Sequence, residues 1–521
     1  MNAARALSEA LRASGESVVF GNPGTTELSF LEGLDLRYVL TLHDGLAVGA
    51  ADLYSQLTRR PAVVNLHAAP GLANAIGFLA SARENRAPLL VTVGQQDRRH
   101  WAERPLLYSD LVRLATPVVK GAWEVTSVEN LPETLDRAWQ LAGRRPYGPT
   151  VVSLPMDLME SPSPPLEPFS RLIDPPPEGS LEEIAAILQS SPDPALVAGY
   201  QVDLDRVHEP LQDLAQRLGA PIFAEPLASR APVTSECENF AGDLLPASAL
   251  INSALGPYDP ILLVGADLTL YPYTPSPLLP GKTVLYVGED PDIGRRRGRV
   301  QVIGALGPIL KGLLERVADR GRRFRRPRDL SRAGRIARVR ARMGGEFILS
   351  RVAEFFSGFT VLDEAVSLTP ALKGIGFYRG PDSYFSCRSG QMGWALAASV
   401  GAGVAGRPTL AVIGDGAFLY GPSVLATLAR EGLGVKILVL NNHGYNILRS
   451  YARAFHPSLE SWEALQIPPV DIAALSQAFG VPAESVSKPA DLDPALRRLR
   501  DRDGPALLNV EVDPKPTDLF G

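Results

Sequence analysis

The sequence predicts an α/β fold of three doubly wound parallel-sheet domains, and three observations lead there. At 521 residues the chain is too long for one hydrophobic core. Short apolar runs rich in valine, isoleucine and leucine alternate with helix-like segments along most of its length, the rhythm of parallel strands joined by crossover helices. Two polar stretches, one rich in proline and one in arginine, divide that rhythm into three blocks.

The first block, residues 1–162, opens with an amphipathic helix, "MNAARALSEALRASGE". Its strands are "SVVFGNPG", "YVLTL", "AVVNLH", "LLVTVG" and "PTVVSLP", with helices over Gly45–Leu57 and Gly71–Glu84 between them. After the linker "MESPSPPLEP…IDPPPEG", the second block runs over residues 178–320. Its helices are "SLEEIAAILQSS" and "DLDRVHEPLQDLAQRLG", and its strands are "PALVAGY", "PIFAEP", "PILLVGAD", "TVLYVGED" and "VQVIG". The arginine-rich stretch "RGRRFRRPRDLSRAGRIARVRARMGG" has no alternating aromatics for base stacking, so it reads as a solvated linker. The third block, residues 346–521, carries "FTVLDEA", "SYFSC", "TLAVIGD", "VKILVLNN" and "PALLNVEVD" as strands.

Composition narrows the function. Hydrophobic residues make up 45% and charged residues 21%, with a net charge of −5, which gives no general attraction to nucleic acid or to an anionic membrane. The two cysteines, Cys237 and Cys387, fit neither a disulfide framework nor a zinc site, so a reducing, cytoplasmic setting is expected. The N-terminus lacks the pattern of a signal peptide, and no apolar run has the length of a membrane span.

Chemistry concentrates at strand ends. In "LTLHDGLAVGAADLYSQ" an aspartate, Asp44, stands where a strand turns into a helix. In open α/β sheets that rim is where ligands bind, although capping the helix is the ordinary task of such a residue. In the third block "AVIGDGAF" ends a strand at Gly414-Asp415-Gly416, and "LVLNNHGYNIL" ends another, with Asn442 27 residues after Asp415. Two adjacent strand ends can aim a carboxylate and an amide oxygen at one point, as a hard cation such as Mg²⁺ requires. The glycines allow backbone N–H groups to approach a phosphate.

The GDG…NN pair resembles the diphosphate-binding motif of thiamine-diphosphate enzymes. Nearly the whole chain is similar to the benzoylformate decarboxylase group, through "FGNPGTTEL", "NLHAAPGLANAIG", "VTVGQQDR" and "SGQMGWALAASVG". The resemblance implies pyrimidine-binding, central and diphosphate-binding domains in that order. It implies thiamine diphosphate and Mg²⁺ as cofactors, with the metal held by Asp415, the Asn442 side chain and the Gly444 carbonyl. Gly390, Met392, Gly414, Gly416, Ala417, Asn442 and Tyr445 would meet the cofactor. Met392 would be the apolar residue that bends it, where a helical methionine is otherwise simply core.

Asp44 falls where the family carries a glutamate that hydrogen-bonds N1′ of the aminopyrimidine from a neighbouring subunit. It is one methylene shorter. His67 matches a histidine that faces the substrate and exchanges protons; a buried structural histidine is the plainer reading. Thr25 replaces a serine that contacts the substrate carboxylate, in a turn shaped by Asn22, Pro23 and Gly24. Other pocket positions depart from the family. Pro272 or Tyr273 stands where a second histidine belongs, Ile447 replaces alanine, Tyr451 replaces phenylalanine, and Ser386 replaces an aromatic residue. Arg388 follows, able to pair with a substrate carboxylate or to point to solvent.

The expected activity is thiamine-diphosphate- and Mg²⁺-dependent decarboxylation of a small 2-oxo acid to an aldehyde, with carboligation as a side activity. The rebuilt pocket argues against benzoylformate itself. An acetolactate-synthase-type carboligase and a cofactor-binding protein with little catalysis are the alternatives. An acid reaching from one subunit into the diphosphate site of another implies a homo-oligomer, at least a dimer, in a family that usually forms tetramers.

Overall fold

The computed structural model describes residues 1–170, 172–272, 275–326, 343–459 and 463–513. Most of the arginine-rich linker and Tyr273 lie outside these. Three six-stranded sheets account for the strands among the described residues. The first contains β1 (Val18–Asn22), β2 (Arg37–Leu40), β3 (Ala62–Leu66), β4 (Leu89–Gln95), β5 (Gly121–Glu124) and β6 (Pro149–Pro155), in the order β2-β1-β3-β4-β6-β5. The second contains β7 (Ala195–Ala198), β8 (Ile222–Ala224), β9 (Phe240–Asp243), β10 (Ile261–Val264), β11 (Val284–Gly288) and β12 (Val300–Ile303), in the order β12-β11-β10-β7-β8-β9. The third contains β13 (Thr360–Glu364), β14 (Tyr384–Ser386), β15 (Thr409–Gly414), β16 (Val435–Asn441), β17 (Ala483–Val486) and β18 (Ala506–Glu511), in the order β14-β13-β15-β16-β18-β17.

The chain forms two compact units. One holds residues 1–173, 362–367 and 387–521; the other holds residues 174–361 and 368–386. Central strands such as β3, β4 and β16 are buried throughout, which is why they read as unbroken apolar runs. Each sheet also has one edge strand with no such run. These are β5 "GAWE", β9 "FAGD" and β17 "AESV", whose residues are mostly half-buried.

Two further findings are local. The segment expected as one helix over "DLDRVHEPLQDLAQRLG" is two, Tyr200–Leu204 and His208–Leu218. They are separated where Arg206 takes a left-handed φ of 54°, a conformation no helix continues through. And no helix among the described residues is long and apolar enough to cross a membrane.

In the first unit two helices position the site. Helix α1 (Asp44–Thr58) is buried over all but its last residue. It packs on a second buried helix, Trp394–Val404. Small residues make that approach possible. A Cβ on Gly401 would collide with the Ala50 carbonyl, and one on Gly49 would come within 2.7 Å of the Ala397 Cβ. Helix α2 (Ala68–Glu84) follows β3 directly.

Candidate active site

The first cluster forms where β1, β2 and β3 end. Helix α1 is capped by His43, in extended backbone, whose Nδ1 accepts the Gly45 N–H at 3.1 Å. Asp44 is therefore the first helical residue and not the cap. Its buried carboxylate turns instead toward its neighbours. Oδ1 accepts the His67 N–H at 3.2 Å, and Oδ2 accepts from Asn22 Nδ2 at 3.3 Å. Both bonds are long, which leaves acceptor capacity on each oxygen. Gly71 makes room for it, since a Cβ there would strike Oδ1.

Glu27 belongs to this cluster, although the sequence pattern did not single it out. It lies inside "FGNPGTTEL", three residues after Gly24, and is 1% exposed. Its Oε2 accepts the Gly24 N–H at 2.8 Å and meets His67 Nδ1 at 2.7 Å, while Oε1 accepts the Thr26 hydroxyl at 2.7 Å. A carboxylate only accepts, so Nδ1 carries the hydrogen and Nε2 is the ring atom left to exchange a proton. Gly24 is obligatory, because a Cβ would overlap the His67 ring. The signal that could have found Glu27 is the G-x-x-E spacing, the mark of a side chain folding back on a turn. Thr25 is exposed beside this dyad. Burial raises the Tyr38 phenol pKa, and the charges of Glu27 and Asp44 add to the rise.

The second cluster forms where β15 and β16 end. The strands pair in parallel with Gly414 opposite Leu440, so Asp415 and Asn442 follow adjacent strand ends. Asp415 is 4% exposed and its Oδ2 accepts the Gly444 N–H at 3.1 Å. Burial pushes its pKa up, against the pull of the Gly416 and Gly444 N–H groups. Asn442 is also buried, and its Oδ1 has no hydrogen-bond partner among the described residues. A buried amide oxygen without a donor is costly unless a ligand completes it, and a hard cation is the fitting one. Ala417 is buried behind the turn, and Gly416 packs so close to Tyr445 that a Cβ would come within 2.6 Å of its ring. His443 holds a left-handed φ of 57° between Asn442 and Gly444, with Nε2 2.6 Å from Glu511 Oε2.

Helix α3 (Trp394–Val404) packs on β15, and Met392 lies half-buried in the turn before it. Gly390 in that turn has φ 75°, with open space on the side where a Cβ would project. Helix α4 (Asn446–Phe455) carries Ile447 and Tyr451. Four residues apart, they share a face, and Tyr451 stacks 4.6 Å from Phe455. Arg388 is placed elsewhere. Its N–H donates to Asn85 Oδ1 at 2.9 Å, at the far end of α2 from His67. Along a helix that separation is about 25 Å, so one chain does not bring the Arg388 backbone to His67. Nor does a hydrogen bond or ion pair join the Asp44 and Asp415 clusters among the described residues.

Comparison with known proteins supplies independent findings. Residues 1–112 match a model described as the thiamine pyrophosphate enzyme N-terminal TPP binding domain. Residues 181–313 match the central domain of such enzymes, and residues 370–510 their C-terminal TPP binding domain. A benzoylformate decarboxylase of Pseudomonas aeruginosa is 32% identical over 96% of this chain and 97% of its own length. A putative acetolactate synthase large subunit of Mycobacterium tuberculosis is 28% identical over 98% of this chain and 99% of its own. Among solved structures, a thiamine diphosphate-dependent 4-hydroxybenzoylformate decarboxylase of Rhodococcus jostii superposes with a TM-score of 0.91 at 30% identity, covering 99% of this chain and 100% of that one.

Proposed function

Because the chain belongs to the thiamine-diphosphate-dependent enzymes and is benzoylformate decarboxylase-like, we propose that it decarboxylates a small 2-oxo acid to an aldehyde with the help of Mg²⁺. The observation that carries the metal is the buried Asn442 Oδ1 beside Asp415, which has no hydrogen-bond partner among the described residues. Those two side chains and the Gly444 carbonyl would hold the cation, and the Gly414–Ala417 turn would receive the diphosphate. Gly390, Met392 and Tyr445 would contact the rest of the cofactor. Bound there, thiamine diphosphate supplies a carbon nucleophile and an electron sink for the bond to the departing CO₂.

The chain's own groups do the remainder. Asp44 would share a proton with N1′ of the aminopyrimidine. His67, held through Nδ1 by Glu27, would deliver a proton from Nε2, and Thr25 would orient the substrate carboxylate. Ile447 and Tyr451 would bound the substrate side chain. Since one chain leaves the two clusters unjoined, the complete site would form between the Asp44 end of one chain and the Asp415 end of another, in at least a dimer. Arg388 would then reach substrate from a different chain than His67. The stretches 1–162, 178–320 and 346–521 would act as pyrimidine-binding, central and diphosphate-binding domains.

The acetolactate synthase relatives support a second reading, in which joining to a second carbonyl is the main reaction. A panel of 2-oxo acids, assayed with and without thiamine diphosphate and Mg²⁺ and analysed for aldehyde against hydroxyketone, separates the two.

A further inference from the structure

The turn Cys387–Gly393 leads into α3 by an irregular path, with left-handed φ values of 75° at Gly390 and 80° at Gly393. It has no sheet or helix ladder to hold its shape. Two buried carboxylates with no part in the proposed chemistry grip it from different elements. Glu364 ends β13 and is 7% exposed. Its Oε1 accepts the Gly393 N–H at 2.6 Å, and its Oε2 accepts the Ala395 N–H at 2.9 Å. Asp52 lies in the middle of α1 and is fully buried. Its Oδ2 accepts from Trp394 Nε1 at 2.8 Å and from Asn85 Nδ2 at 2.8 Å. Asn85 Oδ1 then accepts the Arg388 N–H at 2.9 Å.

Met392 is thus bracketed. Position 388 is tied before it, and positions 393, 394 and 395 are tied after it. Burying a carboxyl group costs stability even when it is hydrogen-bonded, and burial pushes the Glu364 pKa up to about 8, so two at one short turn are a poor way to stabilise a fold and an effective way to fix a geometry. We propose that Glu364 and Asp52 are positioning residues that set where Met392 meets the cofactor. The proposal rests on the thiamine-diphosphate reading above. The bonds these carboxylates make to positions 393, 394 and 395 bear on the Met392 turn and not on the strand ends that carry Asp415 and Asn442, so cofactor affinity and cofactor activation separate.

The test uses full-length Glu364→Gln, Asp52→Asn and Met392→Ala, each isosteric with or smaller than the native residue. Calorimetry with thiamine diphosphate and Mg²⁺ reads affinity. Hydrogen–deuterium exchange at C2 of the bound cofactor, read by NMR after acid quench, reports activation. Both carboxylate variants should bind the cofactor within about threefold of wild type and exchange C2 at least about tenfold more slowly, since misplacement by an ångström costs on the order of 10²-fold. Adding Met392→Ala to Glu364→Gln should slow exchange by less than the product of the single effects, as coupled residues do. Wild-type exchange in the folded variants, or fully multiplicative effects, overturns the proposal. If Glu364→Gln does not fold, Asp52→Asn carries the same two readouts. A wild-type protein that fails to bind thiamine diphosphate refutes the functional reading and the clamp with it; a wild type that binds, with variants that exchange normally, refutes the clamp alone.

Discussion

Replacing Glu27 by glutamine probes the Glu27–His67 dyad without changing its shape. The native carboxylate receives Gly24 N–H, the Thr26 hydroxyl and His67 Nδ1 at 2.7–2.8 Å. Glutamine keeps one accepting oxygen. If that oxygen serves Gly24 and His67, the new NH₂ faces Thr26, whose hydroxyl can rotate to accept it. The fold should survive, losing about 1–3 kcal/mol. What cannot survive is the negative charge against the ring when His67 carries its second proton. A hydrogen bond to a charged group is worth about 1.5–3 kcal/mol, which converts to a loss of about 10- to 150-fold in turnover. The assay is steady-state kinetics on the best 2-oxo acid at saturating thiamine diphosphate and Mg²⁺, with cofactor affinity measured separately. The loss should fall on kcat, with cofactor affinity unchanged. Glu27→Gln should add little to His67→Ala, because the carboxylate acts through the ring. Wild-type turnover in Glu27→Gln, or a double variant whose losses multiply, refutes the dyad.

Three other outcomes are expected. Asp415→Ala should lose Mg²⁺-dependent cofactor binding by calorimetry while the apo-protein melts no lower than wild type, since burial already disfavours the charge it removes. Asp44→Asn should slow C2 exchange of the bound cofactor severely yet leave α1 intact by melting temperature, because His43 and not Asp44 caps that helix. Burial lifts the Glu16 pKa from 4.5 to about 7 against the opposing charge of Arg60. A raised folded pKa means the stability it contributes is full below about pH 4.5 and is lost as pH rises through about 7, a change on the order of 3 kcal/mol; chemical denaturation of Glu16→Gln from pH 4.5 to 8 should show a flatter profile than wild type.

Much of this arrangement was legible in the residue pattern, and the gaps have physical causes. Five strands of each sheet stood out as apolar runs. The sixth in each case is an edge strand, β5, β9 or β17, whose mostly half-buried residues need no apolar character. The strand ends that carry Asp44, Asp415 and Asn442 were visible because glycine and acid interrupt valine-rich runs. Glu27 was not, because its partner His67 lies forty residues away and only the turn at Gly24 brings them together. Nothing in the residue pattern marks Asp52 or Glu364; burial, which the sequence does not spell out, distinguishes them. The cap at the head of α1 went to His43, one residue before the acid that composition favours for that position.

The central claim is most directly tested by supplying the apo-protein with 2-oxo acids and measuring CO₂ and aldehyde together, with thiamine diphosphate and Mg²⁺ present or withheld. The account predicts that at least one 2-oxo acid yields the two products in equal amounts, only when cofactor and cation are both present, and that Asp415→Ala yields neither. Hydroxyketone as the main product, or turnover that is indifferent to the cofactor, would contradict it.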